Sequence, residues 1–183
     1  VYLIAGRSLF SLDAATGETE WSVDHGSAAT APVVADGTVY TSDNSTLGAY
    51  ATRDGSQLWS HTPEVSDGLM FVENPAVRDG RVFVGAQHLQ ALSADDGGVQ
   101  GTAQVETEVT GAPTAGPDRV YVPTDAGQTY GFDVGDGTRS WQSSAMSEAF
   151  SYEISPVLAD DTLYLFTDDR IVAVSRSDAS VRW

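Results

Sequence analysis

Residues 11–21 read SLDAATGETEW, and four later stretches of the chain repeat the pattern of this segment. Each copy begins at a small residue, has a turn step at its centre and, in four copies out of five, closes on Trp. The copies run from Ser11 to Trp21, Ala49 to Trp59, Ala91 to Gly101, Gly131 to Trp141 and Ala173 to Trp183. Their fixed period of 38 to 42 residues makes the chain a repeat protein.

The same neighbours surround every copy, which predicts the strands of one repeat unit. An aromatic residue stands within an apolar triplet before each copy, at Tyr2, Tyr40, Phe83, Tyr121 and Tyr164. A proline precedes four of these triplets, at Pro32, Pro75, Pro113 and Pro156. A two-residue turn step lies between proline and triplet, as at Asp36-Gly37. The unit therefore predicts four short strands, for example at 31–35, 38–43, 47–51 and 57–61.

The hydrophobic pattern selects the fold class. The apolar triplets are continuous, whereas a sheet with one wet face would alternate, and no stretch has helical periodicity. A blade stacked between two neighbours buries both faces without helices, and sandwiches lack a fixed sequence period. We predict an all-β protein, a β-propeller of four-stranded antiparallel blades. Residues 1–183 form one segment with units at about 1–25, 26–63, 64–105, 106–145 and 146–183.

Each motif has a mechanical role. Its Thr-Gly or Asp-Gly step supplies the positive φ of a tight turn, although Asp178-Ala179 lacks the glycine. The Trp four residues later can bury about 150–250 Å² against the next blade. We therefore interpret four residues as inter-blade clamps: Trp21, Trp59, Trp141 and Trp183. Gly101 replaces the fifth Trp, so the junction after the third copy is predicted to be the most weakly packed.

Segments 11–21 and 49–59 resemble the tryptophan-docking motif of pyrroloquinoline-quinone-type propeller repeats, and the resemblance covers essentially the whole chain. It implies a ring of seven or eight blades, of which this chain holds about four and a half. A five-blade ring closed by a strand from outside the chain is the alternative. The family includes quinone-dependent dehydrogenases and many propellers that bind no quinone, such as the scaffold lipoprotein of bacterial outer-membrane assembly. Fold alone does not decide between these activities.

A dehydrogenase resembling this family would need a calcium-binding carboxylate set, a catalytic Asp, an Arg near the quinone and, commonly, two adjacent cysteines. The chain has no Cys, and no other piece matches residue by residue. The run Asp133 to Gly137 is in register with the other turns and lacks a distal Glu, so it is interpreted as a hairpin and not a calcium loop. His25, His61 and His88 occupy different repeat positions, which argues against a metal site. We expect no cofactor, no metal site and no catalytic residue, and keep PQQ and calcium as the alternative.

The charge composition constrains the partners. Twenty-six acids face nine bases, all Arg, for a net charge of −17. Such a chain repels nucleic acid and anionic membranes, and it contains no apolar run long enough for direct membrane insertion. An acidic, Lys-free composition favours a salt-adapted (halophilic) source, because molar salt screens self-repulsion. The family resemblance implies an extracytoplasmic or cell-surface location.

The connections between repeats contain the candidate binding residues. Trp59 to Pro75 and Trp141 to Pro156 are 16 and 15 residues apart, while the other two connections span 11 and 12. Both insertions are expected on one face beside the central channel. They carry an apolar and acidic set suited to a protein or peptide partner: Met70, Phe71, Glu73, Phe150, Tyr152 and Glu153. The alternative is that these residues fold back and cover the inner strands.

Three functions stay open at this point. The first is a non-catalytic scaffold that presents its loops to a protein, or to another domain of the same chain, and the second is part of a PQQ-dependent dehydrogenase. The third is a sensor propeller of a kinase or cell-surface protein. Exposed blade faces at the two ends of an open propeller would also permit self-association.

Overall fold

Antiparallel sheets follow one another along the chain, each built from consecutive strands. The computed structural model describes residues 1–26, 31–43, 45–63, 74–107, 109–143, 155–166 and 170–183. Within these residues there are five sheets, which we call blades 1 to 5. Blade 1 contains β1 (Tyr2–Ala5), β2 (Ser8–Leu12) and β3 (Thr19–Asp24); blade 2 contains β4 (Val33–Ala35), β5 (Thr38–Ser42), β6 (Leu47–Ala51) and β7 (Gln57–His61). Blade 3 contains β8 (Ala76–Arg78), β9 (Arg81–Gly85), β10 (Leu89–Ser93) and β11 (Val99–Ala103).

The last two blades repeat this meander. Blade 4 contains β12 (Thr114–Ala115), β13 (Arg119–Pro123), β14 (Thr129–Asp133) and β15 (Arg139–Gln142); blade 5 contains β16 (Val157–Ala159), β17 (Thr162–Phe166) and β18 (Ile171–Ser175). In blade 5, Val181 bridges to Val174 where the other blades have their last strand. Over the described residues, we find no helix with the length and apolarity that crossing a membrane requires.

Burial along the strands confirms the all-β, face-to-face arrangement that the sequence predicts. In blade 2 every residue of the middle strands β5 and β6 is buried, whereas β7 is mostly exposed. The first strands β4, β8 and β12 approach one another across blade boundaries, so they line the common axis. The last strands consequently form the outer edge. A middle strand covered on both sides explains why its sequence is a continuous apolar run.

Two strand ends differ from the sequence prediction for physical reasons. β4 begins at Val33 instead of residue 31, since Pro32 has no N–H for the ladder. β5 ends at Ser42 instead of residue 43, because the Asp43 carboxylate accepts hydrogen bonds from the backbone N–H groups of Ser45 and Thr46 and starts the turn there.

The core is divided into apolar layers between consecutive blades. Within the described residues, four buried clusters connect blade 1 to 2, 2 to 3, 3 to 4 and 4 to 5. The layer between blades 2 and 3, for example, joins Tyr40 and Leu47 of one blade to Val82 and Leu92 of the next. Since each blade supplies both of its faces to such layers, the stacking of blades is the packing that supports the fold.

Trp side chains connect the first two blade pairs through a hydrogen bond and a glycine. The Trp21 indole Nε1 donates to the Thr52 carbonyl at 2.9 Å, and Trp59 Nε1 donates to the Ala94 carbonyl at 2.9 Å. The rings lie on Gly55 and Gly97, where an added Cβ would come within 2.7 and 2.6 Å of ring carbon. Both glycines also have positive φ, so two independent constraints favour glycine here.

The junction between blades 4 and 5 keeps the indole contact without the glycine. Ala179 holds the turn at a φ of 62° and packs beside the cluster that contains Trp141. The Trp141 indole donates to the Ser175 carbonyl at 3.3 Å, one residue earlier in the motif than at the other junctions. The next carbonyl, that of Arg176, accepts from the Arg119 guanidinium at 3.0 Å. The ring of the fourth candidate clamp, Trp183, is 66% exposed and packs against Tyr164 of its own blade.

Aspartates of the motif turns bind the turn backbone. One carboxylate oxygen accepts from the N–H group two residues later in a series of pairs: Asp54 with Ser56, Asp96 with Gly98, Asp136 with Thr138 and Asp178 with Ser180. These bonds favour the charged form and lower the pKa of each carboxyl. The effect is largest at Asp178, where the hydroxyls of Ser175 and Ser180 lower the pKa to about 2.

The matched pair Gly97→Ala and Gly137→Ala tests the indole contact. Both glycines have a φ of 72°, so each substitution costs about 1–2 kcal/mol of backbone strain. Only Gly97 lies under an indole, and displacing that ring adds about 1–3 kcal/mol. Chemical unfolding in molar salt should show a larger loss for Gly97→Ala. Equal losses would mean that the Trp59 contact contributes nothing.

Asp178 gives a prediction for acid unfolding. Its folded pKa of about 2 lies below the ordinary value of 3.8, so its stabilisation is present above about pH 4 and is lost as the pH falls toward 2. Asp178→Asn keeps an acceptor oxygen but cannot titrate, so its melting temperature in molar salt should fall less over that interval. NMR titration of the carboxyl measures the pKa directly, and a midpoint near 3.8 would contradict the turn geometry.

Candidate functional site

One face of the blades carries the described ends of the connections between them. Because strands alternate in direction, the segment that leaves the last strand of one blade lies at the same face as the hairpin between the second and third strands. We call this the connection face; it includes the described ends of the connections, at 25–26, 31–32, 62–63, 74–75, 104–107, 109–113, 143 and 155–156. The Trp-bearing motif turns lie at the opposite face. The insertions within the two long connections lie outside the described residues, so their grouping at one face stays a prediction.

The six candidate partner-binding residues, Met70, Phe71, Glu73, Phe150, Tyr152 and Glu153, lie outside the described residues. Buried residues lie beside them. Pro63 and Pro75 are buried on either side of the first insertion, and Ser143 and Pro156 are buried on either side of the second. The Pro156 carbonyl accepts a hydrogen bond from the Thr114 hydroxyl of blade 4. Both insertions therefore begin and end beside buried residues.

The described parts of the shorter connections pack on neighbouring hairpins. His25, which follows β3, is buried and donates its backbone N–H to the Arg7 carbonyl at 2.7 Å. Its ring lies 6.0 Å from that of Tyr50 in blade 2, and burial lowers the pKa of the imidazole. In the next short connection, Val109 bridges to Thr124 of blade 4. These segments close the gaps between blades.

The histidines do not assemble a metal centre in the described part of the chain. His25 is part of the first connection, His61 ends β7, and His88 lies between β9 and β10. His61 Nε2 is 2.9 Å from Gln90 Oε1, a contact between blades 2 and 3. Among the described residues, no three His, Cys, Asp or Glu side chains are arranged to hold a metal ion.

The Asp133 to Gly137 segment is a motif turn, as the sequence register predicts. An Asp133 carboxylate oxygen accepts from the Gly135 N–H at 2.7 Å, and the Gly137 N–H donates to the Asp133 carbonyl at 3.0 Å. Asp136 is engaged with Thr138 in the same way. The carboxylates organise their own backbone at the face opposite the connections.

Two arginines that the sequence analysis passed over contact the next blade. Arg81 begins β9 and Arg119 begins β13, and each guanidinium reaches a carbonyl in the motif turn of the following blade: Val134 for Arg81 and Arg176 for Arg119. The only sequence signal is their shared repeat position, which Thr38 occupies in blade 2. The shared position shows that the two arginines are equivalent in the repeat, but it does not show which carbonyl accepts their hydrogen bonds.

Comparisons with known proteins agree on the fold. The chain resembles BamB from Moraxella catarrhalis at 21% identity and a TM-score of 0.77, over 97% of this chain and 58% of that one. The designed Ika8 protein matches at 15% identity and a TM-score of 0.79, over 100% of this chain and 59% of that one. A quinohemoprotein alcohol dehydrogenase from Pseudomonas putida matches at 17% identity and 0.69, over 100% of this chain and 34% of that one.

These similarities show which property the chain shares with the three proteins. At such identities they establish the β-propeller fold alone, and the chain spans less than two thirds of each of these three proteins. No curated protein sequence matches the chain significantly. The family model described as outer membrane protein assembly factor BamB matches residues 1–74 and 43–183, which together cover the whole chain. The chain therefore belongs to this family of PQQ-like β-propeller repeats.

Proposed function

We propose that this chain is a non-catalytic propeller scaffold that binds a protein or peptide partner through its connection face. The observation that carries the proposal is that buried residues stand on either side of both long insertions, next to strands that end at that face. Rigid ends reduce the ordering cost when a loop binds, and loops on a rigid scaffold are the usual carriers of recognition. Met, Phe and Tyr within the insertions supply the adaptable and aromatic contacts that partner surfaces favour.

The family supports the same function and suggests a location. Its description names an outer membrane assembly factor, and the matched protein from Moraxella catarrhalis carries that name. We propose by analogy an extracytoplasmic or cell-surface protein that works within an assembly of other proteins. Net negative charge over the chain would direct it toward a basic partner surface.

The dehydrogenase alternative has a specific structural neighbour but lacks a ligand set in the described residues. The Pseudomonas enzyme shares the fold over a third of its own length. Calcium binds six to eight oxygen ligands, and in the described part of this chain no three His, Cys, Asp or Glu side chains are arranged to hold a metal ion. The acids that cluster by sequence, such as Asp133 and Asp136, are engaged in motif turns. The described residues do not fit a calcium–quinone pair.

The scaffold proposal predicts selective loss of partner capture. Phe71→Ala and Tyr152→Ala should reduce the partners recovered from membrane extract of the source organism at least tenfold, with a melting temperature within about 2 °C of the parent, since a residue that only binds a partner adds little to folding. Leu58→Ala is the matched control, because Leu58 is an exposed apolar residue that belongs to β7 and to neither insertion. Quantitative mass spectrometry provides the measurement. A melting temperature lowered by many degrees would instead show that Phe71 and Tyr152 cover the inner strands.

A quinone titration separates the two functions. We expect PQQ, added in molar salt with calcium, to give no saturable quenching of Trp fluorescence from a protein that circular dichroism shows to be folded. The physical reason is that no three His, Cys, Asp or Glu side chains among the described residues are arranged to hold a calcium ion. Saturable one-to-one binding would overturn the scaffold proposal in favour of a dehydrogenase or quinone sensor.

A further inference from the structure

The junction between blades 3 and 4 contains a cavity where the other junctions contain an indole ring. Gly101 occupies the motif position of Trp21, Trp59 and Trp141. Beside it the structure has a cavity of about 170 Å³. Its apolar lining comes from both blades: Phe83, Leu89, Ala91, Val120 and Phe132. The cavity is thus bounded by the apolar layer between blades 3 and 4, whose equivalents at the other junctions pack against Trp.

The walls of this cavity retain the features of an indole site. At the first two junctions a glycine of the next blade lies against the ring, so that a Cβ would come within 2.7 Å of it at Gly55. The equivalent Gly137 has the same left-handed turn, with φ at 72°, but a Cβ there would meet nothing within 4 Å. A Cβ at Gly101 would also meet nothing within that distance. The position from which a Trp side chain would project and the glycine against which its ring would lie are therefore both open.

Polar groups lie at one edge of the cavity. The Arg81 guanidinium donates to the Val134 carbonyl, whose motif position accepts the indole N–H at the first two junctions, and to the Gly135 carbonyl at 3.3 Å. Its Nε donates to Gln100 Oε1 at 3.0 Å, which fixes the guanidinium plane. A fixed guanidinium favours an aromatic face, and a carbonyl oxygen has a second lone pair for a ring N–H.

We propose that the slot formed by Gly101, Gly137 and Arg81 binds a small, neutral, planar aromatic molecule of indole size. This inference is independent of the proposed partner-binding function, since the slot lies at the motif turns and not at the connection face. An apolar cavity of about 150 Å³ is sufficient to bind benzene in another protein, and this one is similar in size. The three Trp-containing junctions of the same chain supply the template for the ligand.

Calorimetric titration with indole tests the slot in the full chain in molar salt. The parent chain should bind one indole with a Kd below about 1 mM, the affinity expected of a ligand with so few atoms. Gly101→Trp should weaken binding at least tenfold by filling the slot. Val99→Trp is the matched control: Val99 pairs with Leu92 and Gly101 with Ala91, so a Trp at 99 points away from blade 4 and should leave the Kd within twofold.

Melting temperatures and a second ligand complete the test. Gly101→Trp should raise the melting temperature by several degrees, because it restores the contact of the other junctions, whereas Val99→Trp should not. A Gly101→Trp chain that melts lower or does not fold would overturn the indole-shaped slot. Absence of saturable binding to the parent chain, or equal binding to all three proteins, would overturn the ligand assignment. Tenfold tighter binding of N-acetyltryptophanamide than of indole would reassign the slot to a peptide.

Discussion

The structure depends on one repeated contact, an indole ring held between two blades. The ring of Trp59 lies on Gly97 while its N–H donates to the Ala94 carbonyl, so apolar burial and a directed hydrogen bond act at the same point. Burying a ring of this size contributes about 4–6 kcal/mol, and the hydrogen bond about 1 kcal/mol more. The apolar layer alone would permit blades to slide. The bond to one carbonyl fixes their register.

Two junctions differ from this contact, the one between blades 4 and 5 and the one between blades 3 and 4. They show which parts of the contact recur without the others. Where Ala179 replaces the glycine, the indole of Trp141 bonds the preceding carbonyl at a longer distance, and Arg119 bonds the carbonyl that follows. Where Gly101 replaces Trp, Arg81 supplies the donor and the ring volume remains as a cavity. What these junctions share is thus a side-chain N–H group that donates to a backbone carbonyl of the motif in the next blade. At the junction of blades 3 and 4 the chain keeps this polar contact without the ring, and a cavity remains.

Features that are local in sequence could be predicted, and features that depend on the next blade could not. The turn at Asp133, the strands of blade 2 and the face-to-face burial of Tyr40 follow from patterns within one repeat. The difference at Gly101 was visible as a missing Trp. The contact of Arg81 with the next blade could not be predicted, because its acceptor lies 53 residues away in another sheet. Nothing in the sequence near Arg81 encodes that proximity. Phe71 and Tyr152 were selected by the length of their connections and by their aromatic character, and neither feature encodes which surface such a side chain contacts.

The arrangement of the two faces explains how one scaffold accommodates variable loops. The motif turns that fix blade register stand at one face, and the connections stand at the other, separated by strands of five residues, or about 17 Å. A connection that lengthens between Trp59 and Pro75 therefore leaves the Trp59 contact with Gly97 unchanged. The cost of a longer loop is only the small increase in closure entropy, about 0.6 kcal/mol for each doubling. The connections can therefore change in length and sequence in this fold without loss of the contacts that hold the blades together.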